Sequence, residues 1–327
     1  MKKKNAKPGE TESETLRAVP KACQDETAAV EFMERQRWGY QPVCPHCGCI
    51  DIAKMQAKDG ARNKRFLWRC HGCKKQFTVR VGTVFEDSRI PLRYWCHAFW
   101  RACASKKGVS ALQISRECHI SYKSALFMMH RIRWAMATPK PEPEDKFRGT
   151  VEVDEAYVGG RPRNKHGAGV KAGRGTKKTP VVAIIERPGR IRVKVVPNVS
   201  KNNLRREIMN TVDTSARLCT DEFPTYRGIG REFKGGHGSV QHNIMEYVKG
   251  ADHVNTCESF FALLKRGMYG TFHAVSKKHL HRYASEFEFR WATRKMGDGE
   301  RIAATIRGGE GKRLMYRTPV RKENPPE

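Results

Sequence analysis

The chain has 327 residues and sets 63 lysines and arginines against 34 aspartates and glutamates, a formal net charge of +29. Ordinary solubility does not call for such an excess, so the balance points to a polyanionic partner, nucleic acid above all. No apolar run reaches the roughly 18–20 residues of a membrane span. The basic start MKKKNAKPGETESETLR has no apolar stretch behind it and does not read as a secretory signal. An odd count of 11 cysteines does not read as a disulfide framework. The expectation is a cytoplasmic, nucleoid-associated protein whose thiols are reduced, some of them on metal.

At roughly 100–200 residues per domain, the length suggests two or three domains. Residues 1–30 are polar, carry Pro8 and Pro20, and read as a disordered arm that ends in a short helix. Residues 31–88 hold two cysteine pairs, Cys44-Pro-His-Cys47 and Cys70-His-Gly-Cys73, with 22 residues between them. Two residues between thiolates let both sulfurs reach one tetrahedral ion at about 2.3 Å. Strand-like KRFLWRC and QFTVRVGTVF flank the second pair, which is the plan of a zinc ribbon. Four thiolates leave no open coordination position, so the zinc on Cys44, Cys47, Cys70 and Cys73 is expected to be structural. Cys49, His46 and His71 are possible substitutes that break the symmetry.

Residues 89–138 turn helical and carry nine lysines and arginines against the single acid Glu117. VSALQISREC-HIS-YKSALFMMHRIRWAM reads as a helix-turn-helix whose second helix is capped by Ser121. Tyr122, Ala125, Leu126, Met129, Ile132 and Met136 make its apolar stripe, and Lys123, Arg131 and Arg133 fall off it and could meet phosphates. A plain basic helical bundle is the competing reading. PKPEPEDK opens the linker at 139–147, with three prolines in eight residues and nothing apolar.

From 148 to 295, three strand-like runs (TVEVDEAYVG, PVVAIIE, IRVKVVP) precede a helical NNLRREIMNTV and a fourth strand, RLCTDEF. That order indicates an α/β domain. Asp154 and Asp221 end two of the strands, and Glu258 lies in NTCESFFALLKRG, a helix with an apolar face. Two aspartates on neighbouring strands with a helix glutamate can hold two Mg²⁺ ions about 4 Å apart and drive an in-line phosphoryl displacement. Glu155 and Glu222 adjoin the aspartates and could exchange roles with them. Between the first two strands, residues 161–178 contain Arg161, Arg163, Lys165, Lys171, Arg174, Lys177 and Lys178, four glycines and no acid. This is either a solvated hairpin or a basic loop that clamps DNA backbone. His242, His253 and His273 lie near the acids in sequence and are given no role beyond contact with the site. Residues 296–327 read as a flexible tail.

The run from about 40 to 295 resembles the DDE-type insertion-sequence transposases that carry an N-terminal zinc ribbon. The resemblance rests on CPHCG, WRCHGCKKQFTVRVGTVFEDSRIPL, VEVDEAYVGG, TDEFPTY and NTCESFFALLKRGMYGTFHAVSKKHLHRY. It implies a multidomain α+β and α/β chain: a zinc ribbon, a helix-turn-helix-like segment and a ribonuclease H-like catalytic domain. It further implies that Asp154, Asp221 and Glu258 form the metal-binding triad and that Lys265, seven residues beyond Glu258, is functional. Seven residues are about two helical turns, so Glu258 and Lys265 share a helix face. The function implied is that of a bacterial insertion-sequence transposase, acting on double-stranded DNA as a homo-oligomer. It would cut the element's 3′ ends and join them to target DNA. A zinc-ribbon regulator without catalysis and a structure-selective nuclease are the rival readings.

Overall fold

The computed structural model describes residues 10–139, 142–159, 178–240, 248, 250 and 252–315. The chain divides into two compact units: residues up to Trp100 with 118–135 and those from 297 onward, and residues 101–117 with 136–296. Among the described residues no helix is long and apolar enough to cross a membrane.

The first unit opens with α1 (Glu10–Gln24) and α2 (Glu26–Trp38). Thr15, Val19 and Ala22 recur at helical spacing and are buried along α1. Asp25 caps α2 by accepting the Ala28 N–H at 2.7 Å. The N-terminal arm expected over 1–30 is therefore helical from residue 10. Three antiparallel strands follow as a meander, β1 (Ile52–Lys54), β2 (Trp68–Cys70) and β3 (Gln76–Phe77), with Ile52 opposite Cys70 and Trp68 opposite Phe77. Trp38 at the end of α2 meets Trp68 and Phe77 edge-on, each at 6.0 Å. The Trp68 indole N–H donates to Glu34 at 2.7 Å. These contacts tie α2 to the ribbon.

The helical segment comprises α3 (Leu92–Ala104), α4 (Ala111–Glu117) and α5 (Tyr122–Met136). Ser121 caps α5 as its sequence predicts, accepting the Ser124 N–H at 3.2 Å. Two of the cations assigned to DNA on α5 need correcting. Arg131 is buried and donates to the Glu86 carbonyl at 2.9 Å and the Leu314 carbonyl at 3.2 Å. Arg133 is 1% exposed. The residues from Met128 to Arg133 are buried on all sides of the helix, so a cation off the apolar stripe still lies inside. Of the three, only Lys123 is exposed.

The second unit is built on a mixed five-stranded sheet of β4 (Thr150–Val158), β5 (Thr179–Glu186), β6 (Arg190–Val195), β7 (Arg217–Asp221) and β8 (His237–Val240). Their order is β6-β5-β4-β7-β8. The first three pair antiparallel, while β7 and β8 run parallel to β4. The parallel step from β6 to β7 needs a crossover, supplied by α6 (Lys201–Thr211); α7 (Pro224–Gly230) follows β7, and α8 (Asn255–Gly267) and α9 (Leu280–Ala292) complete the unit. This strand order and pairing fit the ribonuclease H-like core that the motifs imply.

Side-chain alternation divides the sheet into two faces. Val151, Val153, Val182, Ile184 and Leu218 pack against Leu204, Ile208, Tyr226 and Ile229 of α6 and α7. Ala156, Val158, Val181, Ala183 and Ile185 pack on the other face against Phe260 and Leu264 of α8 and Phe287 of α9. The outer edge at β6 is covered by Glu288, whose carboxylate accepts the Val193 N–H at 2.9 Å. The chain then returns to the first unit through α10 (Asp298–Arg307), which packs on α1 and α2 and buries Ile302, Ala303 and Ile306. Residues 298–307 are thus a docked helix where a flexible tail was expected. Its short apolar stripe gains stability only from partners nearly 300 residues away.

Candidate active site and metal centre

Strand alternation fixes where the acids of β4 and β7 point. Val153 pairs with Thr220 across the parallel ladder, so Asp154 and Asp221 are each one residue beyond the same rung. Both stand at the carboxyl-terminal side of that rung and on the face that carries Ala183, opposite Asp154 in the β5 ladder. Main-chain donors hold each carboxylate: Asp154 Oδ1 accepts the Glu155 N–H at 2.7 Å, and Asp221 Oδ1 accepts the Phe223 N–H at 3.1 Å. Glu258 lies in the first turn of α8, above the same face. Burial pushes the Asp154 carboxyl up to about 7, and the negative charges of Glu155, Asp221 and Glu258 add to the shift. A pocket of mutually repelling carboxylates fits a hard divalent cation, which binds oxygen donors and relieves the repulsion.

Glu155 points the other way. It faces α7 and accepts a 2.7 Å hydrogen bond from the buried Tyr226 hydroxyl. Glu222 follows the last residue of β7. Glu258 and Lys265 are both exposed on α8. Lys178 lies beside Gly159, where β4 and β5 close on the segment between them. Arg161, Arg163, Lys165, Lys171, Arg174 and Lys177 lie outside the described residues, as does His242.

In the first unit, the sulfurs of Cys44, Cys47, Cys70 and Cys73 all lie within 4.8 Å of one another. Among the described residues no other group of three or more cysteines, histidines or carboxylates closes so tightly, so the three acids are spread more widely than the four thiols. Cys44 and Cys73 sulfurs are 3.7 Å apart and those of Cys47 and Cys70 are 3.6 Å apart. Bonds of about 2.3 Å to one tetrahedral ion would set that edge at about 3.8 Å. The Cys73 N–H, 3.4 Å from the Cys70 sulfur, lowers the Cys70 thiol to about 6. Cys49 stays outside the set, with its thiol towards the Asp51 carbonyl.

Residues 146–292 match the ISXO2-like transposase domain, and residues 24–76 match the transposase zinc-ribbon domain. The chain thus carries an ISXO2-like transposase domain behind a transposase zinc ribbon. An uncharacterized protein in transposable element ISH50 of Halobacterium salinarum is 28% identical over 277 residues, 81% of this chain and 90% of that one. Among solved structures, the Mos1 transposase paired-end complex with left transposon end gives a TM-score of 0.26 at 12% identity, over 62% of this chain and 75% of that one. The Mos1 strand transfer complex gives 0.25 at 12% identity, over 62% and 74%.

The transposase core also contains a group that the sequence reading passed over. Glu152, two residues before Asp154 and on the same face of β4, is 0% exposed. One of its oxygens accepts the Thr256 and Cys257 N–H groups, at 2.8 and 3.2 Å. The other accepts the Thr256 hydroxyl at 2.7 Å and the Arg187 guanidinium at 2.6 Å. His253 Nδ1 lies 3.2 Å from the same carboxylate and 2.8 Å from Arg187. The available signal was parity: an acid between Val151 and Val153, in step with Asp154, has to face a polar partner or the core.

Proposed function

We propose that this transposase binds the terminal inverted repeats of an insertion sequence, cleaves their 3′ ends and joins them to target DNA. The observation that carries the reading is the matched position of Asp154 and Asp221 beyond one rung of two parallel strands, with Glu258 over the same face. The three carboxylates would hold two Mg²⁺ ions, which would activate the attacking oxygen and stabilise the leaving one. Water attacks the phosphorus at the element end first, breaking the bond to the 3′ oxygen and leaving a 3′-OH. That hydroxyl then attacks a target phosphate and displaces the target's own 3′ oxygen, so bonds broken and formed balance with no covalent protein intermediate.

Lys265, two turns beyond Glu258 on the same exposed face, is suited to the phosphate flanking the scissile bond. The four thiolates of the ribbon would hold a structural zinc, which fixes the fold of that module rather than taking part in the chemistry. Lys123, Lys178 and the six other cations of 161–178 would contact the DNA backbone. Because two ends must be cut together, the working form would be an oligomer on DNA.

Cleavage of element-end DNA with Mg²⁺ tests the reading. Asp154→Asn, Asp221→Asn and Glu258→Gln should each abolish cleavage and leave DNA affinity within about twofold, since each removes a carboxylate oxygen from the metal site. Glu155→Gln should retain cleavage, because its side chain faces Tyr226. Full activity of Glu258→Gln together with loss in Glu155→Gln would overturn the triad. Strand transfer from a pre-cleaved end separates a transposase from a nuclease of the same fold.

A further inference from the structure

We propose that Glu152 is a positioning residue for the metal site: with Arg187 and Thr256 it clamps the start of α8 to β4 and so sets where Glu258 stands relative to Asp154. The inference rests on the triad reading above. Its basis is geometric. The first N–H groups of a helix have no partner within the helix. Asn255 opens α8, and the preceding Val254 offers no side-chain cap. The donors of the second and third helical residues, Thr256 and Cys257, are taken instead by a carboxylate from the sheet. Glu258 is the very next residue.

Two residues along β4 from Glu152, on the same face, stands Asp154. One strand therefore carries both a metal-site aspartate and the cap of the helix that brings the glutamate. A carboxylate buried in this way needs compensation. Arg187 supplies the opposite charge at 2.6 Å and continues to the His253 carbonyl at 3.0 Å, so the residue preceding Val254 is fixed as well. Cys257 closes the joint from the helix side, its buried thiol 3.8 Å from the Ala183 carbonyl, on the residue opposite Asp154 in the β5 ladder. Any slip of α8 along the sheet would have to break three hydrogen bonds to one carboxylate. Glu152 needs no contact with DNA or metal to act; it works through the backbone of Thr256 and Cys257.

The Mg²⁺ dependence of cleavage and the amide exchange of metal-free protein together test this. Glu152→Gln removes the charge facing Arg187 and turns one acceptor into a donor. Groups that orient metal ligands typically change metal affinity by about 10–100-fold when altered. The Mg²⁺ concentration for half-maximal cleavage should rise by that factor, DNA affinity should stay put, and saturating Mg²⁺ should restore most of the rate. In metal-free protein, the amides of Thr256 and Cys257 should exchange faster than in the parent. Asp154→Asn, by contrast, should be inactive at every Mg²⁺ concentration with normal exchange at those amides.

A Glu152→Gln protein with the parent Mg²⁺ midpoint and parent amide exchange would overturn the positioning role and leave the triad standing. A uniform loss of rate at an unmoved midpoint would overturn it too, since that is what a general loss of folded protein gives. Full activity of Asp154→Asn and Glu258→Gln would overturn the triad reading instead. If Glu152→Gln fails to fold, Thr256→Val serves, because it removes one contact to Glu152 without stranding a charge. A smaller midpoint shift in the same direction, with faster Cys257 exchange, supports the clamp; no change in either overturns it.

Discussion

Replacing one ribbon cysteine is the sharpest test of the metal centre, because the geometry gives both the magnitude and its control. The sulfur pairs at 3.6 and 3.7 Å are already near the edge of about 3.8 Å that a zinc tetrahedron requires, so little reorganisation accompanies binding. Structural zinc in small finger modules is worth roughly 10–16 kcal/mol at neutral pH. An equal share per thiolate is then about 2.5–4 kcal/mol, or roughly 70- to 900-fold in zinc affinity. Cys70→Ser should show a loss in that range when zinc is titrated against a chromophoric chelator. The same variant should loosen the packing of Trp38 on Trp68, now 6.0 Å apart, and so change tryptophan fluorescence. Cys49→Ser is the control, since its thiol faces the Asp51 carbonyl outside the four-sulfur set. Purified protein free of zinc, or Cys49→Ser losing zinc as readily as Cys70→Ser, would refute the argument.

Other consequences can be measured separately. Neutralising the seven cations of 161–178 should flatten the slope of log DNA affinity against log salt by up to about 0.9 per lost phosphate contact; an unchanged slope would assign the segment to solvent. Ser121→Ala removes the cap of α5 and should cost about 1 kcal/mol in denaturant unfolding of the first unit. Glu288→Gln keeps an acceptor for the Val193 N–H and removes an ionisation that burial opposes. Because burial raises the folded-state value of Glu288 above 4.5, the parent loses stability as pH climbs from about 4.5 through that raised value. The melting temperature of Glu288→Gln relative to the parent should therefore increase from pH 4 to pH 8, and an unchanged difference would argue against it.

Local pattern carried much of this protein. Paired C-x-x-C spacing is short-range geometry, and the four chosen sulfurs converge while Cys49 stays apart. The strands of the catalytic unit announce themselves by apolar runs, and the acids of β4 by their parity: Asp154 and Glu155, in the middle of the strand rather than at its expected end, must face opposite sides. Sequence could not say which side was which. That was decided by the parallel pairing of β4 with β7, a contact between segments more than 60 residues apart, which put Asp221 beside Asp154 and Tyr226 beneath Glu155. The same reason explains the misses. Arg131 and Arg133 lie off the apolar stripe of α5, yet α5 is covered on several sides, and a stripe records only one partner surface. Helices α1 and α10 each have too few apolar positions to stand alone and are stable only against each other and α2. Glu152 looked like one more acid in a strand. Its meaning lies in the Thr256 and Cys257 amides that chain folding delivers to it, and no window of sequence contains both.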